Sequence, residues 1–322
     1  MNFTHLHVHS HYSLLDGLAK IDDLIKRAGD LGMDSLALTD HGAMYGALEF
    51  YKKARKAGIK PIIGCELYVA YENMGDKRPG IDDKRYHLTV LAENLEGYYN
   101  LIKLVTSAHL DGFYYKPRVD HELLRRHSRG LIALSGCFAS EVSQSIKNQK
   151  LDKAENLIRG YQEIFGRDNF FLEIMPHFNF PDQKERNSIL ADFSAKTGAP
   201  LVATADVHYI KPEDNDAQNI LMSVQTNGKF GDAGRHFMKD TNLSLRSGSE
   251  MTAAFHDCPG AVERTGEIAS RVNIEISLGS WTFPDFAIAP GATHDEELRK
   301  LAVAGFSHRS LEQSPEYADR LE

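Results

Sequence analysis

Short apolar runs alternate with longer amphipathic stretches along most of the chain. The apolar runs predict strands at Phe3–Val8, Asp34–Leu38, Lys60–Ala70, His87–Ala92, Leu131–Ser135, Phe170–Ile174 and Pro200–Ala205. Apolar residues at helical spacing predict helices between them, including Ile21–Leu31, Ala43–Ala57, Leu95–Ala108, Asp182–Thr197 and Pro212–Val224. Because these strands are continuously apolar, they are typical of a parallel sheet covered by helices. The pattern therefore predicts an α/β fold in which about seven strand–helix units close into a barrel.

Other regions of the chain lack this alternation. Glu72–Asp83 is polar and predicts a surface loop, and Gln225–Glu250 contains four glycines without a clear period, which predicts a long loop. Ala261–Val272 is a predicted helix. From about Ser280, proline and glycine interrupt the sequence, which predicts a linker, and a helical stretch at Asp295–Ala304 follows it.

The composition indicates a globular protein. The 322 residues are 42% hydrophobic and 25% charged, which excludes a disordered or collagenous chain. The three cysteines, Cys65, Cys137 and Cys258, are too few for a disulfide framework and favour a reducing compartment. The sequence shows no secretory signal pattern and no apolar run of the roughly 18 residues that span a bilayer. We therefore expect a cytoplasmic protein.

The charge argues against a protein that grips nucleic acid by itself. Lys and Arg number 37 against 45 Asp and Glu, a net charge of −8, and no basic run offsets it. Phosphate neutralisation supplies most of the affinity for nucleic acids, so another part or a metal ion would have to supply positive charge. The 15 histidines, of which four lie within Met1–His11, point towards metal.

Potential metal ligands recur at the predicted strand ends. His7 and His9 are two residues apart on one strand and share a face, and Asp16 follows in the next loop. The later strands contribute His41, Glu66, His87, Cys137, Asp206 and His208. The C-terminal ends of parallel strands form one face of such a fold. Imidazole, carboxylate and thiolate suit zinc, manganese or iron, and nine ligands suit two or three ions with a bridging carboxylate.

Each of these signals has an alternative interpretation when it stands alone. A single pair of histidines at this spacing is usually incidental, and Asp40 in TDHG is interpreted as the cap of the helix that begins near Ala43. Cys137 alone would be a small buried hydrophobic residue. The metal hypothesis rests on the coincidence of ligand types at five separate strand ends.

Several long strings resemble one known family, the PHP (polymerase and histidinol phosphatase) domain. They are HLHVHSHYSLLDG at 5–17, DSLALTDHGAMYGALEFYKKA at 34–54, KPIIGCELYVA at 60–70, GFYYKPRVD at 112–120, FFLEI at 170–174, LVATADVHYI at 201–210 and MKDTN at 238–242. Within this family, the chain more narrowly resembles the PHP domain at the N-terminus of the alpha subunit of bacterial DNA polymerase III.

The resemblance implies a distorted barrel of seven βα units and a centre of three metal ions with nine ligands. Carried over by position, one ion would take His7, His9, Glu66 and Asp206, a second Glu66, His87 and Cys137, and a third Asp16, His41 and His208. All nine positions hold a competent ligand, which favours an active centre with zinc as the expected metal. His5 matches no ligand position, and we expect it to orient a ligand.

The implied activity is metal-dependent hydrolysis of phosphodiesters, as a 3′–5′ proofreading exonuclease in DNA replication. Glu66, Asp206 and His208 would be the catalytic residues, and Arg118, His177 and Lys116 would hold the substrate phosphate. The polymerase body, the rest of the polymerase III alpha chain, would deliver the DNA 3′ end. Two alternatives stay open: a phosphomonoesterase of the histidinol phosphatase type, and a metal-stabilised structural domain that braces the polymerase.

The resemblance also divides the chain. Residues 1–280 would form the phosphoesterase domain, and residues 281–322 would form a linker and the start of a polymerase body. The palm carboxylates that polymerisation requires are not among these residues. We therefore expect no polymerase activity from this chain.

Overall fold

A computed structural model describes residues 3–180, 182–225, 241–281, 283–311 and 315–321. Contacts divide the chain into two compact units, Met1–Ile276 and Ser277–Glu322. Among the described helices, none combines the length and the apolar composition that crossing a bilayer requires.

Among the described residues, the first unit contains eight strands and ten α-helices. The strands are β1 Ser35–Leu38, β2 Lys60–Ala70, β3 Arg85–Ala92, β4 Phe113–Tyr114, β5 Lys116–Val119, β6 Leu131–Leu134, β7 Phe170–Ile174 and β8 Leu201–Ala203. The helices are α1 Ile21–Asp30, α2 Ala47–Lys56, α3 Leu95–Leu110, α4 His121–Arg126, α5 Glu141–Lys147, α6 Leu151–Phe165, α7 Gln183–Thr197, α8 Asn215–Gln225, α9 Gly248–Ala254 and α10 Pro259–Arg271. The second unit contains α11 His294–His308 and α12 Pro315–Leu321.

The sheet closes into a distorted barrel. Its strands run in the order β4–β5–β2–β3–β6–β7–β8, and β1 pairs with β2. The extended residues 3–9 bridge the remaining gap: the Ala37 amide donates to the His5 carbonyl at 2.9 Å, and the His9 amide donates to the Val207 carbonyl at 2.7 Å. These hydrogen bonds join β1 to the segment that follows β8, and they confirm the barrel expected from the sequence.

Of the strands predicted from the sequence, one runs against the predicted direction, and the short β4, which was not predicted, is also antiparallel to its neighbour β5. β3 is antiparallel to both of its neighbours, β2 and β6, so the prediction of a wholly parallel sheet is wrong there. The connection from β2 to β3 contains no helix, and a parallel crossover usually needs one. The chain therefore turns back, and the beginning of β3 lies at the same rim as the C-terminal ends of the parallel strands.

Burial explains why these segments form strands and helices. In β2 every residue except Lys60 is buried, as expected of a strand covered on both faces. Helix α1 buries Ile21, Leu24, Ile25 and Ala28, which lie three and four residues apart on one face. The apolar core thus lies inside the barrel and beneath its helices.

Three boundaries differ from the sequence prediction. Phe3–Val8 is extended but forms only one isolated bridge, between Val8 and Val207. Helix α2 begins at Ala47 rather than Ala43. Of the predicted loop Gln225–Glu250, residues 226–240 lie outside the described residues, and its last residues begin helix α9. The cap of α9 is a box in which Ser247 and Glu250 accept hydrogen bonds reciprocally from backbone amides.

Candidate metal centre

The nine side chains predicted as ligands meet at one rim of the barrel. They come from residues 3–9, the first loop, the end of β1, the middle of β2, the start of β3, the loop after β6 and the segment after β8. His87 reaches the group from the beginning of its strand because β3 is antiparallel. Strand direction therefore explains why a residue near a strand start joins residues near strand ends.

Glu66 lies at the centre of this group. It is 1% exposed, and its carboxylate oxygens lie 3.4 Å from His7 Nε2 and 3.5 Å from His9 Nε2. The same carboxylate lies 2.5 Å from His41 Nδ1 and 2.9 Å from His87 Nδ1. A buried carboxylate among four imidazoles has the surroundings of a bridging metal ligand.

Asp206 faces Glu66 across the two N-terminal histidines. Its Oδ1 lies 3.3 Å from His7 Nε2 and 3.3 Å from His9 Nε2, and these two nitrogens are 3.1 Å apart. The Asp206 backbone has a φ of 49°, in the left-handed region that non-glycine residues rarely adopt. Such strain is typical of functional positions.

Cys137 approaches the Oε1 atom of Glu66. Its Sγ lies 3.5 Å from His87 Nδ1 and 3.5 Å from Glu66 Oε1. The preceding Gly136 has a φ of 86°, and a Cβ there would lie 2.6 Å from the His87 carbonyl oxygen. Glycine therefore permits the close approach that places this thiol beside His87.

Asp16 lies beside the remaining two histidines, His41 and His208. Its Oδ2 lies 3.1 Å from His41 Nε2, and its Oδ1 lies 3.6 Å from His208 Nε2. The His9 ring lies between these imidazoles, with centroids 4.1 Å from His41 and 4.4 Å from His208.

Hydrogen bonds on the outer side of the histidines fix their ring orientation. His7 Nδ1–H donates to Glu173 Oε1 at 2.7 Å, and His208 Nδ1–H donates to the Asp206 carbonyl at 2.8 Å. With Nδ1 protonated, the Nε2 lone pair of each ring faces the centre. Partners of this kind are what orient metal-binding imidazoles.

His9 is oriented by a relay through Ser13. The Ser13 hydroxyl donates to Asp40 Oδ1 at 2.6 Å, so its oxygen is available to accept from His9 Nδ1–H at 2.9 Å. Asp40 is 2% exposed and also accepts from the Ser10 amide and hydroxyl. The relay leaves His9 Nε2 unprotonated towards Glu66 and Asp206.

Some of the converging donor atoms lack hydrogen-bond partners among the described residues. Within the described part of the chain, Glu66 Oε2, Asp206 Oδ1 and His41 Nδ1 are buried and have no hydrogen-bond partner. Three overlapping sets have ligand atoms within 4.8 Å of one another: His9, His41 and His208; His7, His9 and Glu66; and His41, Glu66 and His87. Imidazole, carboxylate and thiolate donors in this arrangement fit divalent zinc, manganese or iron.

The electrostatics of the centre couple its acids to its imidazoles. Burial by itself would lower the pKa of His41, but the charge of Glu66 and the hydrogen bond and charge of Asp16 raise it to about 10. Burial, together with neighbouring His41 and His208, lowers the pKa of His9 to about 3. Burial would raise the pKa of Glu66, yet the surrounding histidines hold it well below its usual range. Cations and protons therefore compete for the same acceptors.

The position of Arg118 contradicts its predicted role in phosphate binding. The side chain is fully buried, and its guanidinium donates to the carbonyls of Gly112, Asp82, Met74 and Asp76 at 3.1, 2.7, 2.9 and 2.8 Å. These contacts fasten the 72–83 loop to β5. The prediction is wrong because the donors of Arg118 are directed at backbone oxygens rather than at the rim.

The other two phosphate candidates lie beside the centre. His177 is 7% exposed and lines a cavity of about 170 Å³ together with Asp206 and His208. Among the described residues neither ring nitrogen of His177 has a partner, and burial lowers its pKa to about 4. The Lys116 ammonium lies 5.7 Å from the Tyr68 ring centroid, and that ring lies 6.0 Å from the His41 ring.

Two further predictions are wrong in detail. His5 orients none of the nine residues, because its Nε2–H donates to the carbonyl of Arg246 at 2.8 Å. Asp40 does not cap a helix, because α2 begins at Ala47 with Gly46 as its N-cap. Asp40 instead orders the loop that holds His9 and Ser13.

The residues that orient the proposed ligands, above all Glu173, were not among the site residues predicted from the sequence. This glutamate is 3% exposed and also accepts from the Thr204 hydroxyl. Glu173 could have been identified as the single acid inside the apolar strand FFLEI. An unpaired buried carboxylate is energetically costly, so such an acid indicates a buried partner. Ser13 carried no comparable signal.

Comparison with known proteins places these residues in a family context. A sequence model described as the PHP domain matches residues 5–177. DNA polymerase III subunit alpha of Thermus aquaticus is 40% identical over 331 residues, covering 100% of this chain and 26% of that protein. The corresponding subunit of Treponema pallidum is 41% identical over 312 residues, covering 97% of this chain and 26% of that protein. The chain thus spans about a quarter of the length of these relatives.

Solved structures give more distant matches. An amidohydrolase from Chromobacterium violaceum has a TM-score of 0.45 and 16% identity, over 64% of this chain and 87% of that one. A two-domain protein from Bacteroides vulgatus, containing a predicted PHP-like metal-dependent phosphoesterase, has a TM-score of 0.36 and 17% identity, over 64% of this chain and 52% of that one.

Proposed function

The chain belongs to the PHP domain family, and from that premise we propose that its rim centre is a divalent-metal phosphoesterase that removes nucleotides from DNA 3′ ends. The observation that carries the proposal is Glu66, a buried carboxylate within 3.5 Å of four imidazole nitrogens. A carboxylate buried this deeply needs positive charge beside it, which protonated imidazoles or shared metal ions supply.

The proposed ligands divide into three sets around Glu66. His7, His9, Glu66 and Asp206 would hold one ion, and Glu66, His87 and Cys137 a second. Asp16, His41 and His208 would hold a third. When bound, divalent ions lower the pKa of an attacking water and neutralise phosphoryl oxygens.

The protein's own residues would contribute positioning and charge. Glu173 and Ser13 hold His7 and His9 in the tautomer that presents Nε2 to the centre. Glu66, Asp206 and His208 are the proposed catalytic residues. Neutral His177, buried and facing the cavity, would contact a phosphoryl oxygen, and Lys116 would supply positive charge at the rim.

The biological setting is proposed from the relatives named above. Proteins named DNA polymerase III subunit alpha match the chain over nearly its whole length. We propose that residues 1–280 form the phosphoesterase domain, that residues 281–322 lead towards a polymerase body, and that this body delivers the DNA 3′ end. The centre would then serve proofreading during replication.

The direct test uses the protein with its metal content measured. Manganese- or zinc-loaded protein is offered single-stranded DNA and mismatched primer ends that carry a 5′ label. We expect stepwise shortening from the 3′ end with release of mononucleotides. Metal-loaded protein that leaves both substrates intact would contradict the exonuclease proposal.

A phosphomonoester substrate separates the alternatives. Faster turnover of 4-nitrophenyl phosphate or histidinol phosphate than of DNA ends would favour the phosphomonoesterase. If bound metal raises the melting temperature while every ester stays uncut, the centre is structural.

A further inference from the structure

A groove of about 640 Å³ opens on the rim beside the metal centre. The residues before β3, the first residues of β3, and helices α5 and α6 line it. Four cations face it, Lys84, Arg85, Lys150 and Lys153, together with one carboxylate, Asp83. The lining of the groove is therefore positively charged, although the whole chain has a net charge of −8.

These cations are available to a ligand. Lys84, Lys150 and Lys153 are exposed and form no ion pair with a carboxylate in the part of the chain that the structure describes. Lys53 on α2 shows the contrast, since its ammonium lies 2.7 Å from both Asp22 and Glu49. Unneutralised cations gathered in a groove attract an extended anion.

Aromatic rings are interleaved with the cations. Tyr71, which is 37% exposed, and Tyr86 both line the groove. The Lys84 ammonium lies 5.7 Å from the Tyr71 ring centroid, so the ring and the charge share one surface. Cations that follow a backbone and rings on which bases stack are the two components of a site for single-stranded nucleic acid.

The groove is continuous with the centre. His87 and Ala139 line both the groove and the inner cavity that contains Asp206 and His208. The His87 amide donates to the Ala139 carbonyl at 3.2 Å, which holds the two walls together at this junction. A strand in the groove would therefore end over the nine side chains.

We infer that this groove binds the last nucleotides of a single-stranded nucleic acid and leads its 3′ end to the metal centre. The inference rests on the proposed function, because it takes the centre to act on phosphodiesters. Stacking surfaces favour a nucleic acid over an acidic polypeptide, which would use the charges alone.

Binding of a fluorescein-labelled oligo-dT to the full chain in chelator tests the groove without any hydrolysis. The double variant Lys150→Ala/Lys153→Ala should weaken binding by about tenfold or more at low salt. The slope of log K against log salt should fall by about 0.7 for each phosphate contact removed. The control Lys52→Ala/Lys56→Ala changes the charge equally, at exposed positions on α2 outside the groove, and should bind as the wild type does.

Three results would overturn the inference. The groove variant could bind oligo-dT as tightly as the wild type, the α2 control could weaken binding equally, or poly-glutamate could compete as well as unlabelled oligo-dT. Tyr71→Leu should weaken oligo-dT binding and leave residual poly-glutamate binding unchanged. An equal loss of affinity for oligo-dT and for poly-glutamate would count against stacking.

A small phosphodiester distinguishes this failure from failure of the proposed function. The groove variant should hydrolyse bis(4-nitrophenyl) phosphate at the wild-type rate and show a raised KM only for DNA. If the metal-loaded wild type cleaves neither substrate, the proposed function fails, while the binding assay still decides whether the groove holds single strands.

Discussion

At the scale of single residues, the centre is organised around Glu66 and the hydrogen bonds behind its histidines. Burial and four surrounding imidazoles set the charge state of this carboxylate. Glu173 and Ser13 orient His7 and His9 so that the Nε2 atom of each ring faces it. Orientation is therefore as much a part of the site as the ligand types.

Glu66→Gln should abolish hydrolysis. The amide keeps the shape but removes the charge that would be shared between ions, a loss of several kcal/mol in transition-state stabilisation. We expect kcat/KM for bis(4-nitrophenyl) phosphate to fall by about a thousandfold or more. Steady-state kinetics together with metal analysis of the variant checks this, and near-normal turnover would show that Glu66 is dispensable.

Glu173→Gln should have a smaller and different effect. It leaves all nine proposed ligands in place but weakens the hydrogen bond that orients His7. Metal affinity should fall by about 10- to 100-fold, with activity recovering at high metal concentration. Titration calorimetry measures the affinity, and activity that no metal concentration restores would contradict a purely orienting role.

At the scale of elements, the strands and the loops between them bring distant sequence segments to one rim. The alternation of apolar runs and helices predicted most of the strands and helices. Residues of ligand type at the predicted strand ends identified all nine side chains that cluster at the rim. The direction of β3 was not predictable from its apolar content, because a buried strand is equally apolar whether it runs parallel or antiparallel to its neighbours. Arg118 was misassigned for a related reason, since a sequence shows the charge of an arginine but not the carbonyls around it.

Arg118→Met should loosen the 72–83 loop. The substitution removes four hydrogen bonds from a charged donor to backbone carbonyls and should lower the free energy of unfolding by about 3 kcal/mol. Urea denaturation measures the loss, and hydrogen exchange should rise within residues 72–83. The role of Arg118 as a loop brace is refuted if exchange in that loop is unchanged.

Helices α4, α5 and α6 are joined by a pH-sensitive contact. His121 Nε2–H donates to Glu141 Oε2 at 2.7 Å, and the Tyr161 hydroxyl donates to the same oxygen. Burial would lower the pKa of His121, but the hydrogen bond and charge of Glu141, aided by Asp120, raise it above 6.5 against the opposing charge of Arg125. The stabilising contribution of a raised histidine pKa is complete below about pH 6.5 and is lost as the pH rises through the folded-state value.

The stability lost in His121→Asn should therefore be larger at pH 6 than at pH 9. Urea denaturation of the wild type and the variant at both pH values measures this difference. His256→Asn, at an exposed position, serves as the control. A loss that is equal at both pH values would show that the charge of His121 contributes nothing.

At the scale of the whole molecule, bound metal should link the site to the stability of the barrel. The proposed ligands come from residues 7 to 208, so ions held by them would join most of the closed ring. Such ions would also supply local positive charge in a chain whose net charge is −8.

Removal of metal should lower the melting temperature of the wild type. A ligand that binds only the folded state stabilises it by about 2.7 kcal/mol at a hundred times its Kd. Calorimetry across zinc and manganese concentrations should show a rising Tm in the wild type and a smaller rise in Glu66→Gln. Identical Tm values with chelator and with excess metal would exclude this linkage.

The most direct test of the central claim is where ions bind. Elemental analysis of the purified chain, with anomalous X-ray diffraction at the absorption edges of the metals found, locates each ion. We predict two or three ions at the barrel rim, with Glu66 as a ligand of more than one. Metal-loaded protein in which Glu66 contacts no ion would contradict the account.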